Sequence, residues 1–239
     1  MVAGVPYIAL QLKAVSSAYT LLAESSPGDG LPGSAWWQDS TLYVALVLAA
    51  LADGPSRIAG GLDARDTQLM RDGLRQLGVT ITETGSHWVV TPPAQLALTP
   101  ATIDCGLAGT VMRFLPAAAA LGPGPIEFVG DVQAEARPMG PVLDALYDMG
   151  AEVTPGTDTL PFTITGRDDF PGGPIRLDSS TSSQYLSALL LIGARCALGL
   201  TVEDVGATLP SRLHIDMTIQ MLRERGVRID DSQPGRWVV

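Results

Sequence analysis

Residues 179–183 are five hydroxyl side chains in a row, Ser179, Ser180, Thr181, Ser182 and Ser183. Gln184 follows, and then an apolar stretch that runs to Cys196. Ser, Thr and Asp compete for backbone hydrogen bonds, so they favour helix starts over helix interiors. The Leu- and Ala-rich residues after them are good helix formers. The pattern predicts a strand end, a tight polar turn and the N-terminus of a buried helix. The first turn of such a helix has unpaired N–H groups and a partial positive charge, which suits a phosphate or carboxylate. For an isolated serine cluster, a plain polar turn with an N-cap is the preferred reading; the rest of the chain reverses that preference.

Two arginines stand at similar places. Arg113 follows Gly109-Thr110, a turn in which glycine lets backbone N–H groups approach a ligand closely. Arg137 precedes Pro138, and the pair is expected to open another helix with Pro in its first turn. An arginine just before a helix N-terminus opposes the helix dipole, which hints at an anion between the two. The plainer alternative for Arg137 is a salt bridge with Glu135 or Asp131.

The elements that must hold these groups recur along the chain. Gly78, Gly150 and Gly226 each end a helical pattern and precede a short alternating strand, at spacings of 72 and 76 residues. Each glycine fits a left-handed C-cap. Apolar helices are expected over 41–52, 108–121 and 182–198, leading to strands at 56–59, 126–129 and 200–205. Polar loops at 62–66, 131–138 and 207–211 then open second helices. Strands at 87–91, 160–165 and 237–239 close the units. First strands are clearest at 101–104 and 174–178. A period this long, seen three times, signals a repeated supersecondary unit, here β-α-β-α-β-β. The three units form one α/β domain over 41–239 that buries its apolar helices against one another. Their corresponding starts should bring the front-helix N-termini to one face and sum their partial charges. Residues 1–40, with a Ser/Pro/Gly-rich stretch and the Trp36-Trp37 pair, are expected to be partly loop.

Composition narrows the function classes. Apolar residues make up 46% of the chain, which fits a globular protein rather than a disordered one. A net charge of −10 and a single lysine, Lys13, argue against nucleic-acid binding through a basic surface. Two cysteines, Cys105 and Cys196, and two distant histidines, His87 and His214, make neither a disulfide framework nor a metal-ligand spacing. The longest apolar run, 42–52, is too short to span a bilayer. No basic region precedes an apolar core at the N-terminus. A cytoplasmic protein with no membrane partner and no metal site is expected.

The segment Asp104-Cys105-Gly106-Leu107-Ala108-Gly109-Thr110-Val111-Met112-Arg113 resembles a signature of the EPSP synthases (3-phosphoshikimate 1-carboxyvinyltransferases). Arg65-Asp66-Thr67, Arg137-Pro138, Ser182-Ser183-Gln184 and Leu209-Pro210-Ser211 follow in the family's order, and the resemblance runs over about 45–239. It implies an inside-out α/β barrel domain of three β-α-β-α-β-β units around parallel helices, one of two such domains. It implies transfer of the enolpyruvyl group of phosphoenolpyruvate to the 5-hydroxyl of shikimate 3-phosphate, in aromatic amino acid biosynthesis, with release of phosphate and no cofactor. Ser182, Ser183, Gln184 and Ser211 would then hold shikimate 3-phosphate. Gly109 and Arg137 would hold phosphoenolpyruvate, with Gln184 near both ligands. Thr110 and Arg113 would support the Gly109 turn. Cys105 is expected to be a buried apolar contact rather than a nucleophile, and His214 a first-turn helix residue with a satisfied side chain.

Two departures from the family stand out. Its early Lys and Arg, which contact charged substrate groups, fall on Asp39 and Val44 when aligned back from Ala45, and Pro32-Gly33-Ser34 is followed by Ala35 instead of Lys. No binding role is therefore expected before Ala45. The family's general base belongs to its second domain, expected to be absent here, and neither Asp66 nor Asp178 is an apparent substitute. Two further readings stay open: a non-catalytic remnant that binds a phosphorylated ligand, and the related transferase acting on UDP-N-acetylglucosamine. The latter ranks lower because Cys105 lies in the glycine turn rather than on a mobile loop.

Overall fold

The computed structural model describes residues 35–61, 63–85 and 87–239. The first unit comprises α1 (Ala35–Ala50), β1 (Ser56–Ala59), α2 (Arg65–Gln76), β2 (Thr80–Thr84) and β3 (His87–Thr91). The second comprises β4 (Ala101–Asp104), α3 (Gly109–Ala119), β5 (Ile126–Val129), α4 (Gly140–Asp148), β6 (Glu152–Val153) and β7 (Phe162–Thr165). The third comprises β8 (Gly173–Leu177), α5 (Ser183–Gly193), β9 (Leu200–Asp204), α6 (Arg212–Arg223) and β10 (Arg236–Val238).

Each unit makes its own sheet, in the orders β1-β3-β2, β4-β5-β7-β6 and β10-β9-β8. Where a first strand is described it pairs parallel with the strand after its helix, β4 with β5 and β8 with β9. The returning strand then adds antiparallel, β7 on β5 and β10 on β9. The second unit shows the full β-α-β-α-β-β order. In the third, the expected strand at 227–229 shrinks to a single bridge between Asp230 and Val238.

Strands alternate buried with more exposed residues, buried and exposed in β8 and buried and half-buried in β3, so each sheet turns one face to the helices and the other outward. The front helices are largely apolar, with few polar side chains. All ten residues from Leu42 to Leu51 are buried, as are Val111, Met112, Phe114 and Leu115 of α3 and Leu186 to Ile192 of α5. A helix of that kind must sit in the interior. The second helices are amphipathic and cover the seams. α2 packs on α1 and α3, α4 on α3 and α5, and α6 on α5 and α1. The last contact closes the ring: Thr41 of α1 donates to Met217 Sδ of α6 at 3.1 Å. Helices inside and sheets outside make the inside-out arrangement.

The three repeat glycines behave alike. Gly78, Gly150 and Gly226 have φ of +94°, +104° and +82°. In each case the next residue's N–H bonds a carbonyl five residues back: Val79 to Leu74, Ala151 to Leu146 and Val227 to Leu222. This is the six-to-one closure of a Schellman cap. Because φ is positive, a side chain there would be strained.

Three boundary differences bear on the site or the core, beyond shifts of one or two residues elsewhere. α1 starts at Ala35, inside the segment read as partly loop. Residues 35–41 hold no Gly or Pro, so nothing in them stops a helix propagating upstream from its buried core. α5 ends at Gly193 although the apolar run continues; a Cβ on Gly193 would lie 2.9 Å from Val239 Cβ, where the chain end packs. α4 begins at Gly140 with Pro141 in its first turn, so Arg137-Pro138 lies in the preceding loop and does not open the helix. Lys13 and residues 32–34 lie outside the described residues.

Candidate functional site

α3 and α5 bring their N-termini together. Ala108 is the N-cap of α3 and Gly109 its first residue. Ser182 is the N-cap of α5, its Oγ accepting from the Gln184 N–H at 3.3 Å. Arg113, one turn into α3, joins the two starts: its Nη1 donates to the Gly109 carbonyl at 3.2 Å and to Gln184 Oε1 at 2.9 Å. A guanidinium has donors only, so it orients the Gln184 amide. The amide oxygen faces Arg113, so the NH2 group points away from that guanidinium.

Arg137 reaches the same turn from the loop. Its Nη1 donates to the Leu107 carbonyl at 2.9 Å. A Cβ on Gly109 would lie 2.7 Å from Arg113 Nη1, 3.0 Å from Arg137 Nη1 and 3.7 Å from Gln184 Oε1. Three polar side chains therefore converge on one glycine, which is required for close approach rather than for its φ. The alternative salt bridge of Arg137 does not form. Asp131 pairs with Arg65 at 2.9 Å instead, and among the described residues Arg137 has no carboxylate partner. Two guanidiniums without carboxylates beside two helix N-termini create a locally positive spot on a chain of net charge −10.

Ser183 and Thr110 are buried at the same two helix starts. Ser211 is the N-cap of α6 and makes no side-chain capping bond. One turn below, Ser187 Oγ lies 3.0 Å from His214 Nδ1, so Ser183 and Ser211 share the end of the domain above that contact. The convergence of N-termini holds for α3 and α5. α1 runs beside them, with the carbonyl of Leu51, just past its end, receiving Arg195 Nε at 2.7 Å. It has 16 residues against 11 in α5, and the difference adds about 7 Å of helix on the N-terminal side. Val44, where the family's arginine was expected, is fully buried in the core and offers nothing to a ligand.

His214 sits in a buried polar cluster beneath this floor. Thr218 Oγ1 lies 3.1 Å from Ser187 Oγ and 2.9 Å from the His214 carbonyl, and the Phe114 ring is 6.2 Å away. The expectation of a satisfied side chain is half right: Nδ1 has a partner, while Nε2 is buried without one. Burial pushes its pKa down to about 4. The unfolded chain, with an ordinary histidine near 6.5, therefore binds more protons between those values. Stability should be full above pH 6.5 and fall as the pH drops from there toward 4, by about 3 kcal/mol in total. Urea unfolding as a function of pH checks this, and His214→Gln should flatten that window.

Burial pushes the Cys105 thiol up to about 12, with Asp104 adding to the effect. A thiol so far from ionisation is an apolar contact and no nucleophile. Hydrogen bonds from Ser180 hold the Asp178 carboxyl below its usual range, the opposite of a raised-pKa base. Among the described residues no three His, Cys, Asp or Glu side chains gather as a metal site, and no helix is long and apolar enough to cross a membrane.

A threefold-repeated α/β domain, with helices inside, sheets outside and two arginines gathered at its inner-helix N-termini, defines a domain of the inside-out barrel type. The chain belongs to the EPSP synthase (3-phosphoshikimate 1-carboxyvinyltransferase) family, whose sequence model matches residues 39–239. It is 48% identical over 210 residues to the 3-phosphoshikimate 1-carboxyvinyltransferase of Mycobacterium ulcerans (strain Agy99), covering 87% of this chain and 48% of that protein. In fold it resembles the EPSP synthase of Acinetobacter baumannii, with a TM-score of 0.66 and 24% identity over 84% of this chain and 44% of the other. The enolpyruvyl transferase NikO of Streptomyces tendae gives a TM-score of 0.52 at 21% identity, over 84% and 44%. The chain thus spans about half the length of these relatives.

Proposed function

We propose that this chain supplies one wall of a site that transfers the enolpyruvyl group of phosphoenolpyruvate to the 5-hydroxyl of shikimate 3-phosphate, in aromatic amino acid biosynthesis. The carrying observation is the convergence of Arg113, Arg137 and Gln184 on Gly109. Ser182, Ser183, Gln184 and Ser211 hold shikimate 3-phosphate through hydroxyl and amide hydrogen bonds. Gly109 and Arg137 hold phosphoenolpyruvate, whose carboxylate or phosphate a guanidinium grips bidentately. Gln184 spans both ligands, and Thr110 and Arg113 keep the turn in place. The reaction releases phosphate and uses no metal or organic cofactor. The general base comes from a complementing C-terminal domain, which closes over the ligands and excludes water. A cytoplasmic location fits this biosynthetic role.

Buried Val44 and the Asp39 position favour a second reading, in which this chain binds the phosphorylated ligand without turning it over. Replacing a phosphate-binding lysine removes several kcal/mol of charge stabilisation, on the order of 2–4. Calorimetric titration with shikimate 3-phosphate, followed by phosphate release with phosphoenolpyruvate, separates the two. The release assay is run with and without an added C-terminal domain from a full-length relative. Phosphate release on complementation supports the first reading. Binding without release supports the second. No binding, with Ser183→Ala indistinguishable from the parent, removes the site.

Gly109→Ala tests the convergence directly. The added methyl crowds the ends of two long side chains, Arg113 and Arg137, and makes ordinary contact with Gln184, so the fold should tolerate it, and alanine favours the helix. The displaced guanidiniums should weaken phosphoenolpyruvate binding by about 1–2 kcal/mol, on the order of tenfold. Thermal unfolding should stay level or rise slightly.

A further inference from the structure

We propose that Tyr185 is a positioning residue that ties Arg137 and Arg113 to the start of α5. The inference rests on the reading of the site as a phosphoenolpyruvate half-site. Tyr185 follows Gln184 and is fully buried. Its hydroxyl donates to the Pro138 carbonyl at 2.6 Å, at the short end for an O–H···O bond. Pro138 is the residue after Arg137, so the bond fastens the arginine's own loop. The Arg113 guanidinium stands 5.3 Å from the centroid of the same ring, within cation–π range. One side chain thus touches what holds both arginines, and it does so from the helix whose N-terminus carries Ser183 and Gln184.

The loop needs such a tether. Its internal bonds are two turn contacts, Ala134 N–H to Asp131 and Arg137 N–H to Ala134, at 2.7 and 2.9 Å. Its ends are fixed by Asp131 N–H on Gly106 and Met139 N–H on Asp158. The Arg65–Asp131 pair is more than half exposed on the arginine side and adds little. Between these end anchors, the Tyr185 hydroxyl is the side-chain bond that joins the loop to α5. Losing it leaves Arg137 free to swing on a mobile segment, which lowers the population of the geometry that grips an anion. Shikimate 3-phosphate, held at the starts of α5 and α6, does not depend on that loop.

Tyr185→Phe keeps the ring and the Arg113 contact and removes only the tether, while Tyr185→Leu removes both. Hydrogen exchange on the full chain is the ligand-free readout. In Tyr185→Phe the Arg137 and Met139 amides should exchange about fivefold faster, with amides of β5 and β9 unchanged. Calorimetry in the presence of shikimate 3-phosphate should show phosphoenolpyruvate affinity reduced about fivefold in Tyr185→Phe, and further in Tyr185→Leu, with shikimate 3-phosphate affinity within twofold of the parent. Unchanged exchange at Arg137 and Met139 in Tyr185→Phe overturns the proposal. So does faster exchange spread equally through β5 and β9, which marks a general packing role. If the parent binds neither ligand, the half-site reading fails, and the exchange data still decide whether Tyr185 holds the loop.

Discussion

Arg137→Ala is expected to lower phosphoenolpyruvate affinity by about 2–4 kcal/mol, on the order of a hundredfold, with little change in the temperature of unfolding. The asymmetry follows from where the side chain is anchored. Its bond is to the Leu107 carbonyl at 2.9 Å, and it is only half-buried. Removing it leaves one partly hydrated carbonyl, worth about 1 kcal/mol or less. The ligand, in contrast, loses a planar double donor that a lysine cannot replace in geometry. Arg137→Lys should therefore recover only part of the affinity. Calorimetry and thermal unfolding on the same samples check both halves. Equal affinity in parent and Arg137→Ala would contradict the assignment of Arg137.

Phe114→Ala should have the largest effect on stability, about 3–5 kcal/mol, or on the order of 10 °C in the unfolding midpoint. Phe114 is 1% exposed, on the interior face of α3. Its loss leaves a cavity beside His214, whose ring lies 6.2 Å away. Water entering that cavity would solvate an imidazolium, so the acid-side loss of stability described for His214 should shrink in this variant. Urea unfolding at pH 7 and pH 5 reads both effects. A destabilisation equal to the parent's at the lower pH would show that burial by Phe114 is not what keeps the histidine neutral.

Legibility in the sequence followed the range of the signal. The strands at 56–59, 87–91, 101–104 and 126–129 have the observed bounds, because alternation and flanking turn residues are local. Helix ends were less legible. The run after α5 stays apolar past Gly193, and apolarity alone cannot mark where a buried helix stops. Residues 35–40 contain no helix breaker, but they adjoin a Ser/Pro/Gly-rich stretch whose composition favours loop. The support that Arg113 gives the glycine turn was legible through the family resemblance alone, and the structure supplies its geometry, a bond from Nη1 to the Gly109 carbonyl at 3.2 Å. Tyr185 was not. It reads as an ordinary member of an apolar helix, and only its hydroxyl's partner gives it a role.

By itself, the amino-acid sequence determined the threefold repeat, the glycine caps, the buried front helices and the family. All of these rest on patterns within a few residues or on motifs in order. Tertiary structure alone decided which groups meet. Arg113 and Gln184 are 71 residues apart and Tyr185 and Pro138 are 47 apart, and Asp131 chose Arg65 over Arg137. Such pairings depend on how α3, α5 and the 131–139 loop pack, and packing is set by the whole core at once. The same holds for His214, whose ring is buried against Phe114 of α3 and bonded to Ser187 of α5.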